Sequence, residues 1–451
     1  MSAPQRSLRA DARLAPRAEH LAAHEMSLIA RDDAVSFRQA NASPALMSIV
    51  EAKGLWLRDA SGNRYRDFYG NNCHHIGHRH PRVVEAVHSQ VDKLSFVARG
   101  LTSESSIQLA EQLVAHYPSP QNKVLFAPGG AAAIEIALML AKVNTKRFKT
   151  ISFLDSYHGR SAGALSVSGS PRDRSPRLGP LVPGAFHVPP FYWDARTPHA
   201  TDKQRRKSAL ASLAAIEAVF EQEKDIAAFI AEPIRNGAHL PPPDYWPAVR
   251  ALCDRFGTVL IFDDVPMGLG KTGKLFNCEH FGVLPDMTVI GKALGGAMFP
   301  LAAVIASDRL DTTEELNLSY YTHEKNPLST AAGLATLSVI VEGDLPRQAA
   351  RLGEIVSLRL QRLAERFGVI GNTRSIGLMF AVDLLSEDTC KTGEQLATDA
   401  FYGLLRRGIL AMPTKGHTVS FSAPLNIEEH ELEESLDILE QTIREVSGRA
   451  A

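Results

Sequence analysis

Cysteine is scarce: Cys73, Cys253, Cys278 and Cys390 are the four in a chain of 451 residues. Their scattered spacing fits neither a metal-binding pattern nor a disulfide framework, and a reduced, cytoplasmic setting is the expectation. An excess of charge is lacking too. The 49 Lys and Arg face 50 Asp and Glu, for a net charge of −1, so nothing suggests a field for nucleic acid or membrane. No run approaches the ~20 consecutive apolar residues of a membrane span. The first 30 residues mix Arg, Asp, His and Glu with Ala and hold no uninterrupted apolar core. A secretory signal is therefore not expected, and the acidic residues argue against a transit peptide. We find no internal repeats. What remains is a globular composition, 45 % apolar, in a chain long enough for a sizeable core and two structural units.

The stretch that organises the rest runs from Thr258 to Pro300. It contains two apolar runs rich in β-branched residues, Val259–Phe262 and Met287–Ile290, each the length of a buried parallel strand. Each run leads into a residue odd for a core, Asp263 after the first and Lys292 after the second. In an α/β sheet, ligands sit outside the carboxyl ends of the strands. An acid and an amine delivered there from neighbouring strands can grip the two ends of one cofactor, and Gly295 and Gly296 let backbone approach it closely. Either residue alone would read as a solvated loop charge; the spacing and the glycines argue against that.

Asp263-x-Val265 stands about 28 residues before Gly291-Lys292-x-Leu294-Gly295-Gly296, with Gly270-Lys271-Thr272-Gly273 between them. In this the sequence resembles the class III aminotransferases, pyridoxal 5′-phosphate enzymes of fold type I, and the resemblance covers nearly the whole chain. It implies an α/β fold in three parts: an N-terminal arm with part of the small domain (1–95), a large cofactor-binding domain with a mostly parallel seven-stranded sheet (96–340), and a small α+β domain (341–451). It also implies that Lys292 binds the cofactor covalently, that Asp263 salt-bridges the pyridine nitrogen and that Val265 packs on one face of the ring.

The remaining motifs fall in order. Residues 1 to about 45 are polar and Ala-rich, an arm or helix suited to a partner subunit. Ile49–Phe68 reads as a hairpin turning at Asp59–Asn63, and Pro81 opens a helix with Val84, Val87 and Val91 on one face. Between them, four histidines (His74, His75, His78, His80) fall within seven residues. No second ligand cluster accompanies them, so no metal site is expected; a loop touching substrate is, with hydrogen-bonded structural histidines as the plain alternative. The strand Lys123–Ala127 runs through Gly129-Gly130-Ala131 into a helix, and free N–H groups at such a helix start favour phosphate. The family's Ser-Gly-Thr reads Gly-Gly-Ala here, which shifts phosphate binding onto backbone amides. The strand Thr150–Leu154 ends in Asp155-Ser156-Tyr157-His158-Gly159-Arg160, where the resemblance has Tyr157 stack on the cofactor ring. Residues 171–203 are Pro-rich and read as a long loop. The strand from Ile226 ends at Glu232, which by resemblance supports the ring substituents. Thr322, in Tyr321-Thr322-His323-Glu324-Lys325, matches a threonine that binds phosphate from the neighbouring subunit, implying a homodimer with its active site at the interface.

Two positions depart from the aminotransferase pattern together. Ornithine-type members pair a glutamate with an arginine that holds the α-carboxylate of the second substrate. Gly237 stands at the first position and Ser420 at the second. Losing such a desolvated contact costs roughly 2–5 kcal/mol, about 30- to several-thousand-fold in binding. A transaminase would suffer from this in one of its two half-reactions; a lyase has no second half-reaction to lose. A narrower resemblance, carried by Leu125–Ile134, Gly70–Val87, Ala231–Asn236, Leu260–Gly270 and Tyr320–Pro327, points to a subgroup of ammonia-lyases acting on 1-hydroxy-2-aminoethylphosphonate. Asp264-Val265-Pro266-Met267 departs from it where Glu-Ile-Pro-His is expected. The expected activity is therefore ammonia release from a small primary amine, with Lys292 and Asp263 catalytic. The alternatives are an ω-aminotransferase using a keto acid and an ethanolamine-phosphate-type phospho-lyase. A binding protein without catalysis would need neither Lys292 nor Asp263. For an anionic substrate tail, Arg160, Arg235, His74, His75, His323 and Lys325 are candidates, Arg160 foremost.

Overall fold

The computed structural model describes residues 23–37, 45–171, 173–192, 199–386 and 391–448. Of the expected N-terminal arm it describes the helix Ala23–Val35; most of the arm, and Cys390, lie outside the described residues. Among the described residues no single helix is long and apolar enough to cross a membrane.

Strands β1 (Ile49–Lys53), β2 (Trp56–Asp59) and β3 (Arg64–Asp67) form an antiparallel meander rather than one hairpin. The first apolar run breaks at Gly54, whose φ of +56° and paired bonds to His78 end β1. The next helix spans Pro81–Lys93 and buries Val83 and Val87, not the expected set; Val91 is exposed.

The large sheet contains β4 (Asn122–Ala127), β5 (Lys149–Phe153), β6 (Ala185–Val188), β7 (Ile226–Ala231), β8 (Val259–Asp263), β9 (Met287–Ile290) and β10 (Ala302–Ser307), in the order β4-β10-β9-β8-β7-β5-β6. Only β10 runs against the rest. Every residue of β7, β8 and β9 is buried, as continuous apolar runs in a sheet covered on both faces must be. The expectation of one long loop across 171–203 fails at β6, which adds a parallel edge strand beside β5. Its sequence, Ala-Phe-His-Val, has no apolar alternation to announce it.

A second sheet comprises β11 (Ile370–Ile376), β12 (Met379–Leu384), β14 (Met412–Lys415) and β15 (Thr418–Ser422) in the order β11-β12-β15-β14. The short strand β13 (Ile409–Leu410) instead joins the N-terminal meander, parallel to β3. The N-terminal segment and the C-terminal part of the chain therefore share a sheet.

Lys271 ties these parts to the large sheet. It is fully buried, its Nζ donates to Ala423 O, and its own carbonyl accepts from Leu378 N at 3.0 Å. Nearby, Leu425 N donates to His75 O at 2.6 Å and His75 Nε2 bonds Gly268 O at 3.0 Å. Burial lowers the Lys271 ammonium from the ordinary 10.5 to about 7, with Asp67 opposing. Between those two values the unfolded chain holds a proton that the folded chain has released, so stability rises with pH there, by at most about 1.4 kcal/mol per unit. Lys271→Met should lose this slope. Denaturant unfolding of both proteins at several pH values between 7 and 10 checks it, and parallel stability curves would remove the buried proton from the account.

Candidate active site

The carboxyl ends of β4, β5, β7, β8 and β9 lie at one edge of the large sheet. Asp263, the last residue of β8, is a carboxylate only 3 % exposed. His158 Nδ1 donates to its Oδ2 at 2.7 Å, and the Val265 N–H donates to its Oδ1 at 3.1 Å. Ionised carboxylates only accept hydrogen bonds, so both contacts suit this group and aim it. The His158 main chain is held in turn by Ser168 Oγ at 2.9 Å. The next carboxylate, Asp264, is occupied elsewhere by Asn277 N and Nδ2 at 2.9 and 3.0 Å.

Sequence reasoning quoted His158 within its motif but gave it no role; the signal was its place directly after Tyr157, and the partner lies over a hundred positions away. Removing it leaves a buried charge short of a donor, at a cost of about 1–3 kcal/mol, or about 5- to 150-fold. His158→Ala should weaken cofactor affinity and slow turnover within that range. Absorbance titration of the apoprotein against wild type measures it, and equal affinities would show that Asp263 holds its position unaided.

Lys292 follows β9 through Gly291. It has φ +45°, a left-handed conformation rare outside glycine and of the kind found where function over-determines the backbone. Among the described residues its ammonium makes no hydrogen bond or ion pair. A Cβ placed on Gly291 would meet Val265 Cγ1 at 3.4 Å, and one on Gly130 would meet the same atom at 3.3 Å. Val265 therefore sits where the ends of β4, β8 and β9 converge. Gly130 opens the helix Gly130–Thr145, whose first turn has no side-chain cap, and a Cβ on Gly129 would stand in open space. Ala131 abuts the turn after Tyr157, with its Cβ 2.7 Å from the position a Cβ on Gly159 would take. Tyr157 is 39 % exposed.

The other expected residues are placed less uniformly. Glu232 is buried and ion-paired with Arg235, whose Nη2 also donates to Asp155 O at 2.5 Å. Arg235 is thus engaged within the protein. His74 is wholly buried: its Nε2 bonds Asp67 O at 2.9 Å, and a Cβ on Gly70 would collide with its Nδ1. Burial pushes His74 down to about 4 and His75 well below its ordinary value, with Lys271 adding to both effects. Both rings are neutral and face inward, a structural placement rather than a substrate-facing one. Arg160 is exposed, paired with Asp173 at 2.5 Å and set 5.9 Å above the Tyr157 ring. Thr322 and His323 lie on the surface, His323 against Phe96 with ring centroids 5.2 Å apart.

The sequence model of the aminotransferase class-III family matches residues 37–443. The chain belongs to this family. It is 36 % identical over 433 residues to the (R)-1-hydroxy-2-aminoethylphosphonate ammonia-lyase of Vibrio splendidus, covering 93 % of this chain and 90 % of that one. It is 34 % identical to the putrescine aminotransferase of Pectobacterium atrosepticum, covering 85 % and 80 %. The taurine:2-oxoglutarate aminotransferase of Bifidobacterium kashiwanohense, solved with pyridoxal phosphate and glutamate, superposes with a TM-score of 0.84 at 28 % identity, covering 96 % and 99 %.

As a class-III aminotransferase-family enzyme of fold type I, the protein uses pyridoxal 5′-phosphate, and its residues fit that group. The uncapped helix start at Gly129–Ala131 would take the phosphate on backbone amides. Asp263, fixed by His158, would take the ring nitrogen, with Val265 and Tyr157 on either face of the ring. Glu232 would stand by the ring substituents, and Lys292 would supply the amine.

Proposed function

We propose that this enzyme is an ammonia-lyase acting on a hydroxy-aminoalkylphosphonate, converting 1-hydroxy-2-aminoethylphosphonate to phosphonoacetaldehyde and ammonia. One observation carries the reading. Gly237 and Ser420, far apart in sequence, face one another in space: a Cβ on Gly237 would lie 3.8 Å from Ser420 Oγ. The two positions where ornithine-type members carry their carboxylate clamp are thus neighbours here, and neither bears a charged side chain. The identity to the Vibrio splendidus ammonia-lyase supports the same reading.

Bound pyridoxal phosphate supplies an aldehyde for the substrate amine and a ring that accepts the electron pair released at the carbon bearing it. Lys292 Nζ, unpaired among the described residues, takes the proton from that carbon. Asp263 holds the proton on the ring nitrogen. The hydroxyl on the adjacent carbon then leaves as water, one water is taken up, and nitrogen departs as ammonia, so the substrate is isomeric with its two products together.

We further propose that the enzyme works as a homodimer. The exposed Tyr320, two residues before Thr322 and 5.4 Å under the Arg99 guanidinium, is a large apolar side chain that a second copy could cover.

The purified holoenzyme is expected to release ammonia from the aminophosphonate with no keto acid present. Product formed only after pyruvate or 2-oxoglutarate is added would establish an ω-aminotransferase instead. Inorganic phosphate released from ethanolamine phosphate would establish the phospho-lyase.

A further inference from the structure

The ring that aims Asp263 is itself held from one side only. His158 Nδ1 is spent on the carboxylate, while Nε2 is buried and has no partner among the described residues. What fixes the ring must therefore come through its main chain.

That main chain is stitched to the turn Val167–Gly169, which follows the helix Ala162–Val167. Ser168 Oγ accepts from the His158 N–H at 2.9 Å and donates to Ala164 O at 2.8 Å. Ser156 Oγ donates to Val167 O at 3.2 Å and accepts from Gly169 N at 3.0 Å. A Cβ on Gly169 would collide with Phe153 O, so the turn lies directly on the end of β5.

His187 stands beside this turn. The parallel register sets it opposite Ser152 of β5. Phe186 and Val188 belong to the core on one face of the sheet. Alternation turns His187 to the other face, where Ala185 packs with Ala164 and Val167. Arg174 Nη1 donates to His187 Nδ1 at 3.2 Å. A guanidinium has no acceptor, so Nδ1 is the accepting nitrogen. Burial lowers the His187 imidazolium from 6.5 to about 4, with Arg174 and His158 adding, while the carbonyls of Ser168 and Val167 pull the other way. The ring is neutral, with its proton on Nε2. That atom is buried and completes no hydrogen bond among the described residues, so it attracts those two carbonyls at longer range.

We infer that His187 is a positioning residue for the cofactor's ring nitrogen: anchored by Arg174, it steadies the Val167–Ser168 turn, which holds His158, which aims Asp263. The chain of contacts ends at the cofactor rather than at the substrate, so it serves a lyase and an aminotransferase alike.

His187→Phe keeps a flat ring and removes both nitrogens. Loss of the visible band on serial dilution of the holoenzyme should show cofactor affinity lowered by about 2- to 12-fold, the worth of one net hydrogen bond. The pH at which the bound cofactor's band changes should shift as well. His187→Gln, able to accept from Arg174 and donate to the turn, should restore both readings. Arg174→Met should reproduce the loss without altering the buried ring. In a His158→Ala background, His187→Phe should change neither reading further, because the route to Asp263 is already cut. Full additivity of those two substitutions overturns the inference. So do wild-type affinity and an unshifted band in both the His187→Phe and Arg174→Met proteins, even if denaturant unfolding shows them less stable, since His187 would then only pack.

Discussion

Lys292→Ala should abolish the visible absorbance of bound cofactor and lower ammonia release by about 10⁴-fold, the upper end of what one positioned proton-transfer group contributes. The effect is large because the residue does two jobs that nothing nearby can assume. His75 lies close enough to feel the Lys292 charge, but it is buried, neutral and bonded to Gly268 O. Lys271 is fully buried and turned towards Ala423. Neither offers a free amine to the carbon that must lose its proton. Borohydride reduction of the wild-type holoenzyme followed by peptide mass analysis should place the cofactor on residue 292. A retained absorbance band in the variant, or a label on another lysine, would end the assignment.

Asp263→Asn keeps the size of the side chain and removes its charge. Turnover should fall by about 10²- to 10³-fold, the usual loss when one preorganised electrostatic partner is taken from a dry site. The amide would also present an N–H₂ to the site, and its fixed neighbours, the His158 ring and the Val265 N–H, both donate to this residue. One of those contacts must therefore be lost or reversed. Cofactor should still attach through Lys292, so the absorbance band survives while kcat drops. A variant with wild-type kcat would show that the ring nitrogen needs no anion.

Much of this was legible in the chain. β8 and β9 announced themselves because strands buried on both faces must be apolar throughout, and their ends delivered Asp263 and Lys292 where the geometry of open sheets puts ligands. Gly257, at φ +61°, closes the helix Tyr245–Phe256 as its sequence position suggests. What escaped reading depends on partners distant in sequence. β11 carries Asn372, Thr373, Arg374 and Ser375, a polar run that is stable as a strand because Arg374 meets Asp383 on β12. The bond between His158 and Asp263 and the apposition of Gly237 with Ser420 are likewise products of folding. Histidines crowded into one loop looked like substrate contacts, yet the burial of His74 and His75 turns them into packing.

The reversed strand β10 has a consequence for how the enzyme is made. Among the described residues, strand β4 pairs with β10 and with no other strand of the large sheet. The helix that follows β4, Gly130–Thr145, packs in addition on β7, β8 and β9. In a nascent chain that has not yet extended beyond Ser307, β4 is therefore tethered beside Asp263 through its own helix while its ladder groups stay unpaired, an edge that synthesis of β10 closes.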